Sequence, residues 1–227
     1  MSKKIISIAG FVVMLGLIGF SQAHADTNIN LQVITSTTTI YSQNISVVPC
    51  PLSPTSSTTM VTSGYCALQQ AGLNNNWSWF GDDAFLNSVN GVANNAGGNN
   101  VYWAFFTNLE YGQTSLSAHN LTAGEKLLMA YDINPLRVSA DTLSPTTGAT
   151  STVFTEQFGL DASYNPVWTP ATTSTIYINR QTFSPDNTGH YVFLATSSSY
   201  SVDTTGTGYI NSHTIAIIPV GAPNRPP

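Results

Sequence analysis

Few side chains in this 227-residue sequence could do chemistry, and none stands in a spacing that a reaction requires. Catalytic zinc is signalled by paired ligands such as H-E-x-x-H; the four histidines, His24, His119, His190 and His213, are scattered without such a partner. Asp82-Asp83 and Asp186-Asn187-Thr188-Gly189 offer oxygen ligands, but neither has the alternating donors and closing Glu of an EF-hand loop. Asp186 reads instead as a turn former whose carboxylate accepts nearby backbone N–H groups. The sequence has no G-x-S-x-G elbow, no S-x-x-K and no phosphate-cradling glycine loop. Carboxylates for cleaving sugars would have to come from Asp82, Asp83 and Glu110, and none of these flanks a cleft motif. The expectation is a non-enzymatic protein with no catalytic residue, no metal ligand and no cofactor. A glycosidase is the alternative reaction class.

What the sequence does concentrate is aromatic area. Trp77, Trp79, Phe80, Tyr102, Trp103, Phe106 and Tyr111 fall within one short stretch. Trp103 and Phe105 share one face of a strand and read as core packed on a helix. Trp77 and Trp79 lie in a polar stretch beside Asn74, Asn75 and Asn76, where they either anchor a loop or stack on a ligand. The candidate ligand-binding residues are Trp77, Trp79, Asp82, Tyr102 and Phe106. The partner they suit is a glycan or a bulky planar small molecule.

The first 25 residues carry Lys3 and Lys4, an apolar run from Ile5 to Phe20 broken only by Ser7, and the small-residue ending Ala23-His24-Ala25. That pattern predicts a signal peptide over residues 1–25, cut before Asp26. An apolar run of about 16 residues is shorter than the ~20 that cross a bilayer. The protein is expected to be exported, to a periplasm, to the cell surface or to the medium, with no membrane insertion after cleavage. The remaining chain has four basic side chains, Lys126, Arg137, Arg180 and Arg225, against eleven acidic ones, a formal charge of −7. So few cations cannot neutralise a run of phosphates or hold an anionic membrane, which excludes nucleic acid as a partner. Only 7% of all residues are charged, and Ser, Thr, Asn and Gln carry the solubility, which suits short strands and turns. Cys50 and Cys66 are the two cysteines, and in an oxidising compartment they read as a disulfide closing a short loop, contributing about 3 kcal/mol. Nothing in the sequence sets an oligomeric state.

The elements follow from alternation and turn chemistry. Asn28 to Tyr41 and Gln43 to Val48 read as strands, Leu52 to Thr59 as a Ser/Thr/Pro loop, and Tyr65 to Ala71 as a short helix capped by Thr62 or Ser63 and stopped by Gly72. Ala84 to Val92 reads as a strand containing the turn pair Asn90-Gly91, and Asn94 to Asn100 as a loop. Val101 to Thr107 has apolar residues on both faces, which predicts either a central strand covered on both sides or one carrying an exposed sticky face. Leu127 to Tyr131 is the last strand before a boundary at Asn134 to Pro145. Beyond it, strands are expected at Thr150–Phe158, Thr175–Asn179, His190–Ala195, Tyr200–Thr204 and His213–Val220, a small β-sandwich.

Three pieces carry a family likeness: Leu86 to Val92, Tyr102 to Asn108 and Leu121 to Leu127. They match, in order and spacing, the "x-x-I-N-G", "Y-W-x-F-x-x-N-G-E" and "L-x-x-G-D-x-L" segments of the β-grasp module of the transcobalamin and intrinsic-factor C-terminal domain. Residues 27–133 therefore resemble that module, with Leu109-Glu110 where the family has Gly-Glu and Glu125 where it has Asp. The run Pro170 to Phe183, followed by Asp186 to Tyr191, resembles the hairpins of carboxypeptidase-regulatory and transthyretin-like sandwiches. Taken with the boundary and strand pattern, the resemblance implies an α+β β-grasp domain over 26–135 and an all-β immunoglobulin-like sandwich over 149–221, with a linker over 136–148 and a flexible tail over 222–227 expected from composition. It also implies cobalamin as one candidate ligand. The family's separate helical domain, which helps hold that ligand, has no counterpart in this sequence.

Overall fold

The computed structural model describes residues 26–54 and 56–221. The expected signal peptide over 1–25 and the tail over 222–227 lie outside the described residues. The chain is β-rich, with several sheets and one α-helix among the described residues.

In strand β1 (Thr27–Thr35), Ile29, Leu31 and Val33 alternate with polar residues and are buried. The apparent single strand from Asn28 to Tyr41 is in fact a hairpin. Its turn forms because the Thr35 hydroxyl accepts from the N–H groups of Thr37 and Thr38, a local bond that competes with strand extension. Strand β2 (Thr39–Val47) then returns antiparallel to β1. The expected Ser/Thr/Pro loop is a second hairpin, β3 (Cys50–Ser53) and β4 (Ser56–Val61).

Helix α1 (Gly64–Gln70) starts at Ser63, whose hydroxyl accepts from the Cys66 N–H, and ends before Gly72 in the left-handed region at φ +69°. The Cys50–Cys66 disulfide, with Cα atoms 5.8 Å apart, ties β3 to this helix. Strands β5 (Asn75–Phe80), β6 (Asp83–Val89) and β7 (Val92–Ala93) form a small meander in which Asn90-Gly91 is a turn between strands. Strands β8 (Trp103–Thr107), β9 (Glu110–Tyr111) and β10 (Lys126–Tyr131) complete a five-stranded sheet in the order β2-β1-β10-β8-β9, with β1 and β10 parallel.

The two faces of that sheet meet different partners. Ile29, Leu31, Val33, Phe105, Leu127 and Met129 pack with Cys66, Ala67 and Leu68 of α1, and Trp103 joins this core. The intervening residues Phe106, Leu128 and Ala130 pack against Phe158 and Ile210 from the second half of the chain. Apolar residues on both faces of β8 thus serve two separate cores.

The second half begins earlier than expected. The segment read as a linker opens inside β11 (Asn134–Ala140), only two residues after β10. Leu136 and Val138 alternate into the core, a pattern masked in sequence by Pro135 and Arg137 between them. Strands β12 (Thr150–Leu160), β13 (Pro166–Pro170), β14 (Thr175–Ile178), β15 (Gln181–Phe183), β16 (His190–Leu194), β17 (Tyr200–Thr205), β18 (Tyr209–Ile210) and β19 (Ile215–Ile217) follow. They form one sheet in the order β13-β12-β11-β18, with β16 also on β12, and another in the order β15-β14-β17-β19. Val138, Val153, Ile176, Ile178, Val202 and Ile217 form the core between them. Asp186 accepts from the Thr188 and His190 N–H groups and from the Thr188 hydroxyl. Gly189 at φ +80° completes that turn, where an added Cβ would lie 2.7 Å from the Thr155 carbonyl oxygen.

Candidate functional site

Trp77 and Trp79 stand on β5 rather than in a loop, and both are half-buried. Tyr65 of α1 meets both rings edge-on, at 5.1 Å from Trp77 and 5.0 Å from Trp79. Burial raises the Tyr65 pKa. The Trp77 Nε1 lies buried without a hydrogen-bond partner among the described residues, so its polar edge points into the protein. Asp82 accepts from the Ser53 hydroxyl at 2.7 Å, tethering the β3–β4 hairpin. Asp83 accepts from the Ser115 hydroxyl in the same way. These residues hold the meander against the disulfide-linked helix.

Phe106 requires a correction. It is 0% exposed and meets Phe158 at 4.8 Å and Tyr111 at 5.6 Å. Strand alternation sends it to the sheet face that the second half covers, so it supports the seam and cannot touch a ligand.

Tyr102 is different. It is 50% exposed and borders a cleft of about 1060 Å³ between the two halves. Tyr164, 82% exposed, lines the same cleft. Tyr111, Phe158 and Tyr209 add aromatic wall, while Asn100, Asp132 and Asn134 add polar groups.

Local hydrogen bonds set both exposed tyrosines. In the asparagine loop before Tyr102, Asn95 accepts from the Asn100 N–H, Asn99 from the Val101 N–H and Asn94 from the Trp103 N–H. The Trp103 indole donates to the Val92 carbonyl at 2.9 Å, holding that side chain inward. Asn100 takes φ +57°, which asparagine tolerates better than most residues.

Tyr164 projects from a turn built on Asp161. That carboxylate accepts from the Ser163 and Asn165 N–H groups and from the Asn165 side chain. Hydrogen bonds from the Asn165 side chain and N–H, with one from Ser163, hold the Asp161 pKa below its ordinary value. Tyr164 itself adopts φ +63°, a strained geometry for a bulky residue. The signal that could have revealed it is the Asp161-Ala162-Ser163-Tyr164-Asn165 turn pattern, which places an aromatic residue at the tip.

His119 and Glu125 form a close pair, Nε2 to Oε1 at 2.6 Å, with Glu125 only 4% exposed. The other Glu125 oxygen accepts from the Thr122 N–H and hydroxyl. Burial opposes the Glu125 charge, but the bonds from His119 and Thr122 outweigh it and lower its pKa. This pair secures the turn leading into β10.

Among the described residues, no group of three or more His, Cys, Asp or Glu side chains is placed to hold a metal ion. No described helix is long and apolar enough to cross a membrane.

No protein-family model matches the chain, and no curated protein matches it. Among solved structures it is similar to haptocorrin crystallised in complex with Cbi, with a TM-score of 0.36 and 14% identity. The similarity covers 47% of this chain and 25% of that chain, so it spans a quarter of that protein's length.

Proposed function

We propose that this chain is an exported, non-enzymatic binding protein of cell-surface or adhesion type. Its first half is read as a β-grasp module and its second as an immunoglobulin-like sandwich. One helix packing on a sheet with a parallel central pair supports the first reading, and two facing sheets around a shared core support the second. The ligand enters the seam cleft and lies against Tyr102 and Tyr164.

The observation that carries this reading is the pair of solvent-exposed tyrosines lining one large cleft. Exposed aromatic faces stack on flat, weakly polar surfaces, and nearby amides and a carboxylate can bond the ligand's edge. That favours a sugar ring or a bulky planar molecule, cobalamin among them. Asp82 and Asp83 are each bonded to a serine hydroxyl that ties down a neighbouring segment, and Glu110 is exposed on β9, which supports a structural use of these acids over a hydrolytic one.

The test is a glycan array together with a thermal-shift panel that includes cobalamin, run on residues 26–227. The Tyr102→Ala/Tyr164→Ala double variant should lose the response shown by the parent while melting at nearly the same temperature. Undiminished binding by that variant would overturn the reading, and turnover of any ligand would overturn its non-enzymatic part.

A further inference from the structure

The seam has a second cavity. Strand β10 passes the tyrosine cleft at Ala130, near its end, and at its start Lys126 and Leu128 line a separate cavity of about 500 Å³. Lys126 is the sole lysine after residue 25. It lines this cavity together with the half-buried His213 from the loop after β18.

The cation inventory makes this placement informative. Arg137 is paired with Glu156 at 2.6 Å and lies 4.3 Å from the Trp168 ring centre. Arg180 lines another cavity together with Asp203. Arg225 lies outside the described residues. Lys126 has no ion-pair partner among the described residues, although the mature chain would carry eleven acids. Among the described residues, no carboxylate lines its cavity. Burial, with the positive charge of Lys126 in addition, keeps the His213 pKa below its ordinary value.

The neutral groups around them include donors. The Asn108 Oδ1 already accepts from the Lys126 N–H, leaving its Nδ2 to donate. Asn211 and Thr214 add further donors. Leu109, Leu128 and Ile210 supply an apolar wall. An ammonium beside a second basic group, with amide donors and no carboxylate, is an arrangement that a bound anion satisfies.

We propose that this cavity binds a small molecule through one carboxylate, with Lys126, His213 and Asn108 donating to it and the apolar wall receiving its body. A single permanent cation matches a monoanion; a phosphate dianion would keep an uncompensated charge beside an acidic protein. The site is independent of the tyrosine cleft.

Isothermal titration calorimetry on residues 26–227 at neutral pH and low salt tests this, with acetate and benzoate as probes, benzamide as the neutral shape match and inorganic phosphate as the dianion. Benzoate should bind at one site, at least about tenfold more tightly than benzamide, as a charge-assisted hydrogen bond implies. Lys126→Met should weaken benzoate by about tenfold or more without changing the melting temperature, and Lys126→Arg should restore most of it. Tyr102→Ala/Tyr164→Ala should leave benzoate binding intact. The proposal fails if neither carboxylate binds, if benzamide matches benzoate, if phosphate binds as tightly, or if folded Lys126→Met keeps its affinity. The comparison of benzoate with benzamide on the parent protein decides the matter even if a variant misfolds.

Discussion

Two aromatic regions of this protein share a composition and differ in use. Around Tyr65, tryptophans beside asparagines pack edge-on against one tyrosine, and the helix that carries it is fixed by a disulfide. Around the seam cleft, tyrosines beside asparagines turn outward from turns with positive φ. The residue types are nearly the same. What separates them is where backbone bonds leave the ring: a β-strand delivers Trp77 to a neighbouring element, whereas the Asp161 turn leaves Tyr164 82% exposed. Aromatic density alone therefore does not mark a binding face; the turn beneath each ring does.

The strongest way to break this contrast is Phe106→Ala, which opens a cavity in the seam and should cost about 3–5 kcal/mol of stability in a denaturant titration. A variant of parental stability that has lost its ligand would instead make Phe106 a contact residue. Next comes the disulfide. Cys50→Ser/Cys66→Ser should lose about 3 kcal/mol, read as a lower unfolding midpoint. Trp77→Ala should cost about 2 kcal/mol, since its half-buried ring packs on the first core. Binding at the tyrosine cleft by the folded fraction should be unchanged, and loss of binding with full stability would reverse the roles of the two regions.

The smaller effects fall on the cleft side. Asp161 carries a lowered pKa in the folded chain. Its contribution to the turn is fully present above the ordinary carboxylate range and lost as the pH falls through that lower folded value. Ligand response should therefore fade on acidification, and Asp161→Ala should weaken it severalfold at neutral pH. Side-chain NMR of Tyr164 follows the release directly. Smallest in stability is Tyr102→Ala/Tyr164→Ala, within about 0.5 kcal/mol of the parent because both rings are exposed.

Much of the fold was legible residue by residue. The Asp186 turn and the alternation in β1 stand as read, and of the two cap candidates the structure uses Ser63; each rests on residues a few positions apart. The disulfide was legible because only two cysteines were available to pair. The β3–β4 hairpin was hidden in a Ser/Thr/Pro stretch, and β11 behind Pro135 and Arg137, because composition there resembles a loop while the pairing partner lies elsewhere. Of the five residues first assigned to ligand, Tyr102 alone lines the seam cleft. Its counterpart Tyr164 is more than sixty positions away and was invisible to a local reading.

Sequence alone determined that β8 carries apolar side chains on both faces, since successive positions point to opposite sides of a strand. Only the tertiary structure decided which half covers which face, sending Phe106 into the seam and leaving cavities at Tyr102 and at Lys126. The reason is range. Capping, turning and alternation are settled between near neighbours, whereas a cleft is the space left where two distant surfaces fail to meet.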